Sequence, residues 1–494
     1  MPVHTGPVGA DLDRAFQVKS GPLPWRKAIG APLATLGCLL LGLAFGHFTY
    51  GVWAFFGGFT SMYVSTVPYR IRARTLTYVG LGVVASLAVG SSTSASPFLL
   101  TVGIGLVAGV STFVTTALEV PLPGSLMFIL IAALGAALPV HPGLTGLRVG
   151  FAAAGAAIAW LVGMAGVLWH PGHPERMQLA ALYDALGREA TGETASPTLP
   201  ATLRMWRAGS FRDSALMHWL FRAARIRAAI HSAPRTRPAL ARHLKRVADY
   251  LRGQPTRSLV APPHRWRLKS AQILKPLPGA SWLLTQAGPR HRLADALKPG
   301  TSALTAGLRT GLAVTLATAL VLLLGEPHPY WVPLTVGAIL QGPTPGVMMD
   351  RAVERVVGTV LGLFLAAGLL ALHPTLPATA LLMLVLQFLL LILVVRNYAL
   401  AVIVITTLAL VVIEGEVRLP LWPLLTARLI DTALGAAIAV AALFFGAAVR
   451  PTRPPARAGP HPAGKRPATG PRPDRNEVRS PPSVLPPTSG RPRE

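Results

Sequence analysis

Within DRAVERVVGTVLG, residues 350–362, Arg355 supplies a permanent cation, Thr359 a hydroxyl one turn on, and Gly358 and Gly362 positions without side chains. On a helix these four share one face, so the segment offers a small anion a charge, a hydroxyl and a close backbone approach. The pattern returns in RLIDTALG, where Arg428 is followed at the same offsets by Asp431, Thr432 and Gly435. Looser versions open at Arg148 (RVGFAAAG, with Gly155 seven residues on) and at Arg74 (RTLTYVGLG). A charge at the centre of a bilayer costs about 2.5–3.5 kcal/mol or more, so arginines at such places need a reason. Two reasons compete. Arg428 and Asp431, three apart on one helix face, can pair locally, as can Arg351 and Glu354. Alternatively, Arg309, Arg355 and Arg428 line a path for an anion, with the Asp431 carboxylate available to carry a proton.

These residues need elements to position them, and the spacings define those elements. Arg74 and Arg148 are 74 residues apart, Arg355 and Arg428 are 73 apart, and the two pairs are offset by 281 and 280. Trp53 and Trp331 keep an offset of 278, and Lys27 and Arg309 one of 282. A long-period repeat of this kind means one unit used twice. Apolar segments follow the same division: 28–47, 51–67, 75–93, 97–117, 122–139 and 147–169, then 304–325, 330–347, 353–372, 376–395, 398–413 and 427–449. Each is near the ~17–25 residues a spanning helix needs, and none alternates as a barrel strand would. The expected fold is therefore all-α: a polytopic membrane bundle of about 12 transmembrane helices in two six-helix repeats. The first half is 28–169 and the second 301–450. Since Arg74 and Arg355 lead the third helix of each half while Arg148 and Arg428 lead the sixth, a three-plus-three inverted repeat is expected within each half.

Composition agrees with a membrane class: 52% of the 494 residues are hydrophobic, 13% are charged, and mean hydropathy is +0.50. Most of the net charge of +27 lies outside the apolar segments, with +15 in residues 171–300 and +7 in 450–494. Residues 170–300 place Leu, Ala and aromatics at helical spacing between arginines in 175–190, 211–230 and 237–252, which predicts a basic cytoplasmic helical region. Residues 1–27 form a polar cytoplasmic segment, and the first apolar run reads as a retained span rather than a cleaved signal. Residues 451–494, with 13 prolines in 44 positions, are expected to be a disordered cytoplasmic tail. An N-terminus inside puts Arg70, Arg72, Arg74, Arg351, Arg355, Arg396 and Arg450 on the cytoplasmic side. Arg148, Arg418 and Arg428 then fall outside with Glu326, Glu414 and Glu416, an asymmetry that favours both termini in the cytoplasm of a bacterial inner membrane.

Catalytic and metal motifs are not found. GPHPAGKR (459–466) ends in Arg466 where a phosphate loop needs Ser or Thr, no His-Glu-x-x-His run occurs, and the lone Cys38 allows no disulfide or thiol cluster. No cofactor, metal or nucleic acid is expected, and an enzyme is the least expected class for want of a nucleophile and base. The glycine pairs Gly42/Gly46 and Gly105/Gly109 read as close-packing positions between helices. Tyr330 and Trp331 read as interfacial anchors. Pro333, Gly337, Gly342 and Pro343 predict that the helix after them is broken or ends early, exposing backbone to a cavity.

From residue 301 to 450 the chain resembles the fusaric acid resistance protein-like (FUSC) integral membrane transporters. Those proteins show an arginine in the first helix (here Arg309), a Tyr-Trp pair opening the second (Tyr330, Trp331) and an Arg-Gly-Thr-Gly element opening the third (Arg355, Gly358, Thr359, Gly362). Over 25–170 Trp53 is present, but RTLTYVGLG stands where the Gly-Thr element belongs. The resemblance implies efflux of aromatic carboxylic acids and related small organic anions; wider relatives include plant malate channels with arginine-lined pores. A passive anion channel is the alternative within transport. A membrane-anchored interaction protein, binding anionic lipid or a partner through the basic linker and tail, is the alternative outside it. Deleting 455–494 separates these classes, since transport survives the deletion and an anchor function does not. Expected partners are a small organic anion and membrane lipids; a periplasmic adaptor is left open.

Overall fold

The computed structural model describes residues 25–193, 238–253 and 289–448, apart from a few loop positions, together with part of 216–230. The regular structure there is helical, with no strand among the described residues. In the first half these are α1 (Trp25–Ala44), α2 (Phe48–Gly58, continued as a 3-10 helix Phe59–Tyr63), α3 (Tyr69–Thr93), α4 (Pro97–Ala117), α5 (Leu126–Ala137) and α6 (Pro142–Met164). Between the halves lie α7 (His173–Ala190), α8 (Pro238–Leu251) and α9 (Pro289–Ala296). The second half comprises α10 (Ser302–Leu323), α11 (Trp331–Ile339), α12 (Pro345–Leu370), α13 (Leu376–Arg396), α14 (Tyr398–Val417) and α15 (Leu421–Ala448). Local chemistry sets several starts. Ser96, Thr301 and Thr344 each accept a hydrogen bond from the backbone N–H three residues on, and Pro97 and Pro345 occupy first-turn positions where no N–H is needed.

Seven helices among the described residues have the length and composition to cross a membrane: 69–93, 97–117, 143–169, 302–323, 345–370, 376–396 and 425–444. Of the other apolar segments, α1 and α14 form helices of 20 residues each, while α2, α5 and α11 are much shorter, and there the structure departs from twelve equal spans. Helix α11 has nine residues, about 13 Å of rise against a hydrocarbon core of about 30 Å. All nine are buried, as are most of the eleven in α2 and the twelve in α5. A helix apolar on every side belongs inside the bundle, and these three are surrounded by the longer ones.

Packing follows a regular scheme. Within the first half α2 lies on α6 and α3 on α5; within the second, α12 lies on α14. Across the halves α4 packs on α10, α1 on α13 and α5 on α11. At the α4–α10 crossing Gly105 and Gly109 face Gly307 and Gly311 backbone to backbone. Gly42 lets α1 approach the backbone of Gly51 in α2. Gly46 does not share that packing role: it takes φ +78° in the turn between α1 and α2 with nothing near its missing side chain. Only a residue free to adopt the left-handed region suits that turn.

Of the helices expected between the halves, those at 175–190 and 237–252 correspond to α7 and α8. Leu179, Tyr183 and Leu186 close a second core with Leu220, Leu244 and Val247, against which Val67 and Ile71 at the start of α3 also pack. Arg252 joins the two helices by ion pairs to Asp184 and, at 3.1 Å, to Asp249. Most of 211–230, residues 1–24 and the tail 451–494 lie outside the described residues, as does Arg418.

Candidate functional site

Arg355 stands about 15 Å along α12 from its first residue, and Arg428 about 10 Å along α15, so both lie well inside their helices. The two side chains reach the same place. Arg355 and Arg428 line one cavity of about 10 Å³, room for a single water, together with Trp331 and Leu334 of α11, Ile405, Thr406 and Ala409 of α14, and Leu126 and Leu130 of α5. Both arginines are buried, at 3% and 2% exposure.

The glycines of the two motifs make this convergence possible. A Cβ on Gly358 would lie 2.7 Å from the Ala399 carbonyl oxygen, and one on Gly362 2.8 Å from that of Ile403, so α12 and α14 touch through backbone. Gly435 likewise brings α15 onto α11, where its Cβ would lie 2.9 Å from the Val332 carbonyl oxygen. Thr407 Oγ1 donates to the Gly362 carbonyl at 3.1 Å, tying α14 to α12. Each arginine motif thus rides on a helix pressed against a neighbour that walls the cavity.

The electrostatics of the cavity are unbalanced. Arg428 Cζ lies 4.0 Å from the centroid of the Trp331 ring, a cation–π contact on a fully buried indole. Among the described residues no carboxylate stands within ion-pairing distance of Arg355 or Arg428. The Arg428–Asp431 pair that the spacing allows is not formed; the guanidinium lies on the indole face. Arg355 Nε, Arg428 Nε and Nη1, Trp331 Nε1 and the hydroxyls of Thr359 and Thr406 are all buried without a hydrogen-bond partner. Such groups cost about 1–3 kcal/mol each, more when charged. Most are donors, and what a surplus of donors with two cations accepts is an anion.

Arg309 sits elsewhere. Its Nη2 donates to the Leu340 carbonyl at 3.1 Å, at the residue that caps the C-terminal end of α11. It supports the short helix from behind and does not line the cavity. Asp431, 1% exposed, lies one turn beyond Arg428, and neither carboxylate oxygen has a hydrogen-bond partner.

The first half builds only part of this arrangement. Arg148 Cζ lies 5.5 Å from the Trp53 ring centroid, echoing Arg428 and Trp331, and Arg148 Nη2 donates to the Pro139 carbonyl at 2.8 Å. Arg74, the counterpart of Arg355, is exposed. Trp331 was legible as an aromatic at a repeat position but not as the seat of Arg428, and Leu126, Leu130 and Thr406 carried no signal beyond apolar or small character.

Fold and site together define an all-helical, multi-pass membrane protein with a buried cationic pocket. Residues 316–442 match the family described as fusaric acid resistance protein-like, in agreement with the resemblance read from the motifs of the second half. Over 396 residues the chain is 28% identical to YvaC, an uncharacterized membrane protein of Bacillus subtilis (strain 168), the match covering 73% of this chain and 62% of that protein. No solved structure matches the chain.

Proposed function

We propose that this protein carries small organic anions across the membrane, binding them between Arg355 and Arg428. The single observation that carries the reading is that two buried guanidiniums, on different helices and without ion pairs, line one cavity. Holding two unpaired cations in a bundle is costly, and an anion that arrives and leaves gives them a use. Transport fits the class better than catalysis, and aromatic carboxylic acids moving outward are the substrate and direction that the motif resemblance implies.

The twelve-helix, six-plus-six architecture is part of the proposal. Exchanging the halves turns the α4–α10 contact into the α1–α13 contact, as a two-fold axis along the membrane normal requires. Inverting each half on itself exchanges α2–α6 with α3–α5, and α11–α15 with α14–α12. A site framed by short helices where inverted repeats meet is how several transporter folds are built. In this reading both termini and the helical region of α7 and α8 are cytoplasmic, at a bacterial inner membrane. A cavity of about 10 Å³ is far too small for an aromatic acid, which favours a carrier that opens to each side in turn over a standing channel.

The test is efflux of radiolabelled benzoate from proteoliposomes, comparing wild type with Arg355→Ala at equal reconstituted protein. A drop of tenfold or more supports the assignment; equal rates across a panel of aromatic acids would remove Arg355 from the path.

A further inference from the structure

Asp431 is the one acidic side chain at the cationic site that is buried to 1% exposure, and both its oxygens lack partners among the described residues. Arg428 is three residues away on the same helix, yet its guanidinium lies on Trp331 rather than on this carboxylate. A buried carboxylate with all its acceptor sites empty is most costly when ionised, and taking a proton lowers that cost. The charged and titratable groups around it are Arg428 on its own helix, and Tyr330 and Glu326 from the turn preceding α11, with Arg355 of α12 beyond Arg428. Tyr330 is buried and Glu326 half-buried.

We infer that Asp431 is a proton-binding site coupled to the anion site, so that an organic anion bound between Arg355 and Arg428 favours a proton on Asp431. The inference rests on the anion-carrier reading proposed above. An ionised Asp431 repels an arriving anion and competes with it for Arg428; a protonated Asp431 does neither. By linkage, whatever factor the proton adds to anion affinity, the anion adds to proton affinity. Two like charges several ångströms apart in a bundle interior correspond to roughly a ten- to hundredfold effect on binding. The proton comes from solvent and rests on a carboxylate oxygen, while the anion stays ionised, so the bound pair adds no net charge to the site.

The experiment is isothermal titration of the purified full-length protein with benzoate, cinnamate and malate between pH 5.5 and 8, in buffers of different ionisation heat so that proton uptake is counted. Wild type is expected to lose ten- to hundredfold in affinity as pH rises and to take up a fraction of a proton per anion, confined to the pH range over which affinity falls. Asp431→Asn is expected to bind across the whole range as wild type does at low pH, without proton uptake, while Asp431→Glu restores both features. Anion binding that is insensitive to pH in wild type, or equally sensitive in Asp431→Asn, overturns the proton site and leaves the anion site standing. Failure of all three anions to bind wild type overturns both.

Discussion

Replacing Arg428 with methionine is expected to make the protein more stable while removing its ligand response. Methionine fills a similar volume with apolar atoms, so it leaves little cavity. Removing an unpaired guanidinium from the bundle interior recovers about 2.5–3.5 kcal/mol on insertion scales. Losing the 4.0 Å contact with the Trp331 ring forfeits about 2 kcal/mol for a desolvated cation–π pair. The balance is about 1 kcal/mol in favour of the variant, a rise in melting temperature of about 1 °C in a protein of this size. The chain provides its own reporter, since its single cysteine, Cys38, is buried and becomes reactive to a thiol-sensitive fluorophore on unfolding. Wild type should gain about 2.7 kcal/mol from a bound anion at a hundred times its dissociation constant, and Arg428→Met should gain nothing. A lower melting temperature for Arg428→Met would refute the reasoning, because it would mean that the guanidinium holds the bundle together rather than waiting for a ligand.

Gly362→Ala is expected to destabilise by about 1–3 kcal/mol, because its Cβ would lie 2.8 Å from the Ile403 carbonyl oxygen where α12 and α14 touch. Gly368→Ala on the same helix, with nothing within 4 Å, serves as the neutral control in the same cysteine assay. Outside the membrane, burial and the neighbouring Arg222 and Arg246 hold His243 below the usual imidazole range. The folded α7–α8 region therefore favours the neutral ring; stability is complete above the ordinary imidazole pKa of about 6.5 and declines as pH falls below it. Limited proteolysis at pH 7.5 and 5.5 should show faster cleavage of this region at the lower pH in wild type, and a flatter response in His243→Gln.

The arginine motifs were readable in the sequence because a helix that returns to the same face every seven residues keeps Arg355, Gly358, Thr359 and Gly362 together, and the repeat flagged Arg428 as their partner. The shortness of α11 was foreshadowed by Pro333 and the glycines after it. What could not be read were the contacts that depend on three-dimensional company. Hydropathy marks WVPLTVGAI and a spanning helix alike, since a helix sealed inside a bundle and one facing lipid are both apolar. Nothing in the order of residues says that Arg428 prefers Trp331 to Asp431, or that Arg309 serves a carbonyl at Leu340 rather than the cavity. Gly46, four residues from Gly42, has the spacing of a packing pair, but the chain turns before a second contact is reached.

Leu126 and Leu130 belong to α5, in the first half, yet they wall a cavity whose arginines come from the second. A gene encoding only residues 301–450 would therefore produce a site with one side missing, and two such chains could complete each other only by lending that wall reciprocally, giving two sites per pair. In the proposed two-repeat reading, joining two copies in one chain frees one of them from that obligation. Among the described residues Arg74 is exposed, while Leu126 and Leu130 of the same half close the chamber of Arg355 and Arg428, so the first half serves the cavity as a wall and not as a source of charge.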